Sequence, residues 1–175
     1  MTTVTKIDGL GRHGVRPRSL KTTGFERALA YGSLTLLLIV SVAVVRGHTD
    51  WPRVPTLIWL HIGTIALALV LTPVLLLGRR GARRHRVLGY AWVTSMCTTA
   101  LLSFGIRDIT HGGLSAIHIL SAVTLTQAPM LAWHARRHRV EAHRYTALSL
   151  VTGALLIAGA FTLPFGRMLG RWLFA

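Results

Sequence analysis

Residues 54–77 read VPTLIWLHIGTIALALVLTPVLLL, 24 positions without a single Asp, Glu, Lys or Arg. Four more stretches share that property: 28–45, 87–106, 114–133 and 145–165. Each is 18 to 24 residues long, and about 20 apolar residues wound as a helix span a hydrocarbon core of ~30 Å. A soluble domain normally carries about 25% charged residues. This 175-residue chain carries 14%, is 51% apolar and has a mean hydropathy of +0.51. Those figures exclude a soluble enzyme, a disordered basic tail and a disulfide-stapled secreted domain. They predict an all-α, polytopic membrane bundle of five transmembrane helices, the last four forming a pseudo-symmetric four-helix core.

The formal charge of +15 would point to nucleic acid in a soluble protein, but its placement argues otherwise. Fifteen of the 20 Lys and Arg residues lie in residues 1–27 and in the loops 78–86 and 134–144. Five lie on the other side: Arg46, Arg53, Arg107, Arg167 and Arg171. The positive-inside rule then puts the amino terminus in the cytoplasm and the carboxyl terminus outside, in a cytoplasmic (inner) membrane. The basic loops are placed among anionic lipid headgroups, and nucleic acid is not a partner.

Residues 1–27, with Gly, Pro, Thr and scattered charge, read as a flexible basic cytoplasmic leader, and 28–175 as one transmembrane domain. The first span, with the small pair Ser41 and Ala43, also resembles a signal peptide. An uncleaved anchor is the preferred reading, because the leader is long. Connections of 46–53, 78–86, 107–113 and 134–144 are too short for a further domain, so successive helices are antiparallel neighbours. Pro73 and Pro129 are expected to kink their helices, and Ala147, Gly153, Ala154 and Ala158 to serve helix contacts. Cys97 falls within an apolar span and reads as a small core residue. Gly166-x-x-x-Gly170 is taken as chance or packing, and the five tryptophans as an interfacial belt.

The second half repeats the first. His61-Ile62 opens a helix that meets Pro73, passes a basic loop and reaches His85-Arg86. His118-Ile119 does the same through Pro129 to His143-Arg144. The hexapeptide Ala-Arg-Arg-His-Arg-Val occurs at 82–87 and 135–140; that copy would align His85 with His138, but Tyr145 and the following span favour His143. Taking Leu57 and Leu114 as outer boundaries, His61 and His118 each lie four residues further in, roughly 6 Å deep and on one level. An intramembrane ionisable group points to function, although each histidine could equally glue two helices through a hydrogen bond.

Four histidines on four successive helices form an outer pair, His61 and His118, and an inner pair, His85 and His143. A b-type haem needs two axial imidazoles from facing helices, so one or two haems would fit. Arg86 and Arg144 inside, and Arg53 or Arg107 outside, would pair with propionates. Zinc or copper on His61, His118, His111 and Asp108 is the alternative, and a cofactor-free accessory or structural subunit is the third reading. An electron carrier would also need a redox partner or a quinone. Asp and Glu are missing from every span, which argues against a carboxylate proton relay.

The residues that carry the plan are His61-Ile62, the Arg-rich run to His85-Arg86 with Gly89-Tyr90, His118, His143-Arg144 and Pro164-x-Gly166-Arg167. They resemble a bacterial family of predicted membrane proteins, domain of unknown function 2306, over roughly residues 57–170. The arrangement is also similar to di-haem cytochromes of the b-561 type. In those proteins histidines on four consecutive helices pair first with third and second with fourth. That resemblance implies His61 with His118 and His85 with His143.

Overall fold

A computed structural model describes residues 22–106, 116–164 and 166–174, and among these the regular structure is entirely helical. Helix α1 runs Gly24–Arg46 and continues as a 3-10 turn, Gly47–Arg53. Then come α2, Thr56–Leu77, α3, Arg83–Ser103, and α4, Ala116–Arg136. Helix α5 is one rod in three pieces: Val140–Ser149, a π-helical Leu150–Ile157 and Ala158–Ala160. A short α6, Met168–Phe174, closes the described chain.

Helices α1, α3 and α5 start earlier than their charge-free stretches do, and the reason is chemical. Helix α1 opens with a capping box. The Glu26 backbone N–H donates to Thr23 Oγ1 at 3.3 Å, and the Thr23 N–H donates to Glu26 Oε2 at 2.8 Å. Such a box needs an acid in the first turn, so a rule that looks for uncharged residues begins the helix four residues late. Likewise α3 takes in Arg83 to Arg86, and α5 takes in His143 and Arg144. His85 and His143 therefore stand on first helical turns and not in loops.

Among the described residues two segments are long and apolar enough to cross a membrane, by length and composition: α1 with its 3-10 extension, and α2. Helices α3 and α4 mix Ser, Thr, His and Gln into their apolar residues, and α5 is broken by its π-helical stretch. Large apolar side chains point outward along the helices, among them Leu38, Leu60, Leu101 and Ile119. Ser33, Thr72, Ser95, Thr99, Ser103 and Ser121 are buried. An apolar exterior over a partly polar interior inverts the soluble pattern.

Neighbours pack in chain order: α1 on α2, α2 on α3, α3 on α4 and α4 on α5. The π-helical part of α5 returns to α1, which closes the bundle. The close approach there is Gly159, where a Cβ would run into Leu36 of α1. Gly153, expected to serve a contact, faces open space, whereas Ala147 and Ala154 do pack against the core. Helices α2 and α4 continue through Pro73 and Pro129.

Both ends of α1 are tied down. At its amino-terminal end the buried Glu26 carboxylate accepts from Arg80 at 2.7 Å and from Arg144 at 2.9 Å, so one acid joins α1, the α2–α3 loop and α5. At its carboxyl-terminal end α6 folds back onto α1. Trp172 lies flat on Gly47, stacks on Trp59 at 6.4 Å and donates its indole N–H to Asp50 at 2.9 Å. Gly170 is buried against the Leu163 carbonyl, a site no larger residue could take, whereas a Cβ on Gly166 would meet open space, so packing accounts for the second glycine and the positive φ of 67° for the first.

Removing one member of a buried ion cluster strands the others. The Arg80 and Arg144 side chains keep 18% and 32% of their exposure, so water recovers part of the loss. Glu26→Gln is expected to cost about 2–3 kcal/mol, read as a drop in the thermal unfolding midpoint of detergent-solubilised protein.

Candidate functional site

An imidazole has two ring nitrogens, and what one of them bonds decides what the other can do. On α2, His61 Nδ1 lies 3.2 Å from the Thr99 carbonyl oxygen of α3. A carbonyl only accepts, so the proton sits on Nδ1 and the Nε2 lone pair is left facing away. This bond belongs to a polar seam between α2 and α3. Thr99 Oγ1 donates to Thr64 Oγ1 at 2.7 Å, Ser95 Oγ to the Thr64 carbonyl at 2.5 Å, and Trp92 Nε1 to Thr72 Oγ1 at 3.0 Å.

His143 repeats the arrangement on α5: its Nδ1 lies 3.1 Å from the Leu131 carbonyl oxygen of α4. Thus two of the four singled-out histidines bond the backbone of an adjacent helix through Nδ1 and present Nε2. Metal-bound histidines are held in that way, with the second nitrogen on a carbonyl that fixes tautomer and ring orientation.

His118 is buried on α4, 5% exposed, with its ring 5.7 Å from Phe104. One turn deeper, Ser121 Oγ and Ser103 Oγ are 2.5 Å apart. Helix α3 serves as a ruler here. His61 meets it at Thr99, whereas α4 meets it one turn past His118, where Ser121 reaches Ser103, so His118 lies further toward the carboxyl-terminal end of α3 than His61 does, by about one helical turn or more. The expectation that the outer pair shares one level is corrected accordingly. Equal distance from the span boundary does not give equal height when α2 and α4 are offset along α3.

His85 and His143 are close enough to sense each other's charge. His85 is half-buried at the start of α3, and its pKa is lowered, first by burial and then by the nearby charges of His143 and Arg80. Arg144, expected to hold a propionate, is engaged instead with Glu26. Arg86 is exposed beside His85. Arg53 pairs with Asp50 at 3.2 Å on the exposed outer turn. Arg107, Asp108 and His111 lie outside the described residues. Between the two copies of the repeat, His138 stands exposed in the α4–α5 turn with φ of 55°, whereas His143 is half-buried on a helix.

One histidine escaped the sequence reading. His134 is 8% exposed on α4, its Nδ1 is buried without a hydrogen-bond partner, and its ring lies 5.3 Å from that of Trp133. The buried positions on α4 are 118, 121, 124, 128, 131 and 134, a stride of three or four. Extending that stride past Trp133, beyond the end of the charge-free stretch, would have found it. Among the described residues no three His, Cys, Asp or Glu side chains converge as a metal-holding group.

No family model, curated protein or solved structure matches this chain.

The lowered pKa of His85 sets the sign of a pH effect. An unfolded histidine takes up its proton near pH 6.5, while in the fold His85 resists protonation to lower pH. Its contribution to stability is complete above about pH 6.5 and is lost as the pH falls toward the folded value. His85→Gln is expected to flatten that limb. The check is the difference in unfolding midpoint between wild type and variant from pH 7.5 to 5, the other histidines being common to both.

Proposed function

We propose that the chain is a multi-pass protein of a bacterial inner membrane that carries electrons across it as a b-type cytochrome. Its amino terminus is inside and its carboxyl terminus outside. All five long helices cross, the last four as a pseudo-symmetric core. The membrane reading is supported by the two long apolar segments, by the outward apolar side chains and by the skewed Lys and Arg distribution. The likeness to domain of unknown function 2306 and to b-561-type proteins belongs to the same proposal.

The observation that carries the haem reading is His143, tied to the Leu131 carbonyl through Nδ1 and free to ligate through Nε2 beside His85; His61 repeats the Nδ1 bond on α2 but takes no part in this haem. The donor set fits a bis-imidazole site best at the inner end, where His85 and His143 are within reach of each other's charge. The outer pair is out of register along α3, so the residues as they stand fit one haem and not two. Bound there, a haem supplies reversible one-electron chemistry. The chain's own part is to hold the imidazoles on the first turns of α3 and α5, to fix the His143 tautomer through Leu131 and to offer Arg86 to a propionate. Arg144 acts as a positioning residue that anchors the base of α5 to Glu26. A redox partner or a quinone exchanges the electrons.

A second reading has its own observation. The same two Nδ1 bonds join α2 to α3 and α5 to α4, which is what a cofactor-free structural or accessory subunit would need from its histidines. The two readings part on the absorption spectrum of protein purified from haem-replete cells. The cytochrome reading expects a sharp b-type reduced spectrum with about one haem per chain. It also expects loss of that spectrum in His143→Ala, with the helical circular dichroism retained. A colourless wild-type protein overturns the cytochrome reading and leaves the structural one.

A further inference from the structure

The arginines at the inner end fall into two groups with different tasks. Arg80 and Arg144 turn inward and spend their charge on Glu26. Around the α4–α5 turn three others lie on aromatic rings at the surface. Arg136 Nε donates to the Tyr90 hydroxyl at 3.0 Å, and its guanidinium carbon stands 5.5 Å from that ring's centre. Arg137 and Arg139 share Trp133, at 5.6 Å and 5.0 Å. The turn between them is tight: His138 has φ of 55°, and the Arg139 N–H donates to the His134 carbonyl at 3.0 Å. All three arginines are exposed, and so are both rings.

An arginine laid over an aromatic face loses less freedom when it binds an anion, because the ring already restricts it. Only the Nε of Arg136 is used by Tyr90, which leaves its terminal NH2 groups as a fork suited to a phosphate. Next to the rings lie exposed apolar side chains: Val87 one turn from Tyr90, Met130 one turn from Trp133, and Val140 after Arg139. Phosphate seats beside apolar side chains at the end of a helical bundle match a lipid, headgroup and chain together. The acid in this turn is Glu141, exposed on the first turn of α5.

We propose that the α4–α5 turn is a binding site for an inner-leaflet phospholipid bearing two phosphates, one seated on Arg136 at Tyr90 and the other on Arg137 and Arg139 at Trp133. The site rests on the membrane reading above, and it does not depend on whether a haem is bound.

The test uses the full chain in phosphatidylcholine nanodiscs and follows binding of a fluorescent cardiolipin. Cardiolipin is expected to bind about tenfold more tightly than phosphatidylglycerol. The triple variant R136Q/R137Q/R139Q should weaken it by about tenfold or more, and R79Q/R83Q/R84Q, with the same change of charge, by less than about threefold. Trp133→Ala, which alters no charge, should weaken it by about two- to fivefold. Equal losses in the two triple variants would reduce the site to diffuse charge and overturn the proposal. Full competition by inorganic pyrophosphate would overturn it in favour of a soluble phosphate ligand. Alkaline carbonate extraction of membranes separates the two levels. Release of wild-type protein overturns the membrane reading and the lipid site with it; retention alongside equal triple-variant losses overturns the lipid site alone.

Discussion

Helix α1 is held at its two ends by two carboxylates, and the rest of the bundle is assembled around that hold. Glu26 takes Arg80 and Arg144 at the amino-terminal end, and Asp50 takes the Trp172 indole and Arg53 just past the carboxyl-terminal end. The whole chain has five acidic residues, so two of them are committed to these attachments. A buried carboxylate is costly unless its oxygens are satisfied. Glu26 meets that condition with two guanidiniums and the Thr23 backbone N–H. The cap that begins the helix and the ion cluster that docks it are therefore one group.

The same cluster shapes the charge around the inner histidines. His85 lies near Arg80 and His143, and Arg144 follows His143 in sequence. Without Glu26, two uncompensated guanidiniums would sit at the base of α3 and α5. With it, both guanidiniums have a carboxylate partner and one of their two charges is cancelled, while the remaining arginines turn outward. Sorting basic residues by the presence of an internal acid explains why a loop region of one sign holds both structural and surface arginines. A positive-inside count treats all of them alike.

How much of this was legible follows from the range of each interaction. Helix α2 was readable nearly to the residue, 54–77 against Thr56–Leu77, because it ends at Gly78 and has no charged turn at either end. Helices α1, α3 and α5 begin earlier than expected because charged first turns are recruited by caps and tertiary pairs. The Glu26–Arg144 pair spans 118 residues and leaves no local pattern. Arg144 was therefore assigned a ligand when it had a partner in the chain. Helix α6 follows Pro164 and Gly166 in a segment too short for periodicity, and only its fold-back onto α1 gives it a role. Of the candidate site, the identity of His61, His118, His85 and His143 came from their repeat. Their heights and ring orientations did not, since both depend on how far one helix slides past another.

The π-helical stretch of α5 completes the packing logic. Its eight residues, Leu150–Ile157, close hydrogen bonds one residue further along than an α-helix does, which widens the turn and rotates the side chains that follow. Helix α5 has to satisfy neighbours on different sides: α4 through His143 near its base, and α1 through Gly159 near its top. A regular α-helix fixes the angle between two such faces by residue spacing alone. The π-helical segment adds rotation between them, so the base can keep His143 on the Leu131 carbonyl while the top still seats Gly159 under Leu36. It also places Leu150, Val151 and Leu155 fully inside while Gly153 stays open. The irregularity is thus where the histidine end of the helix and the α1-docking end are reconciled.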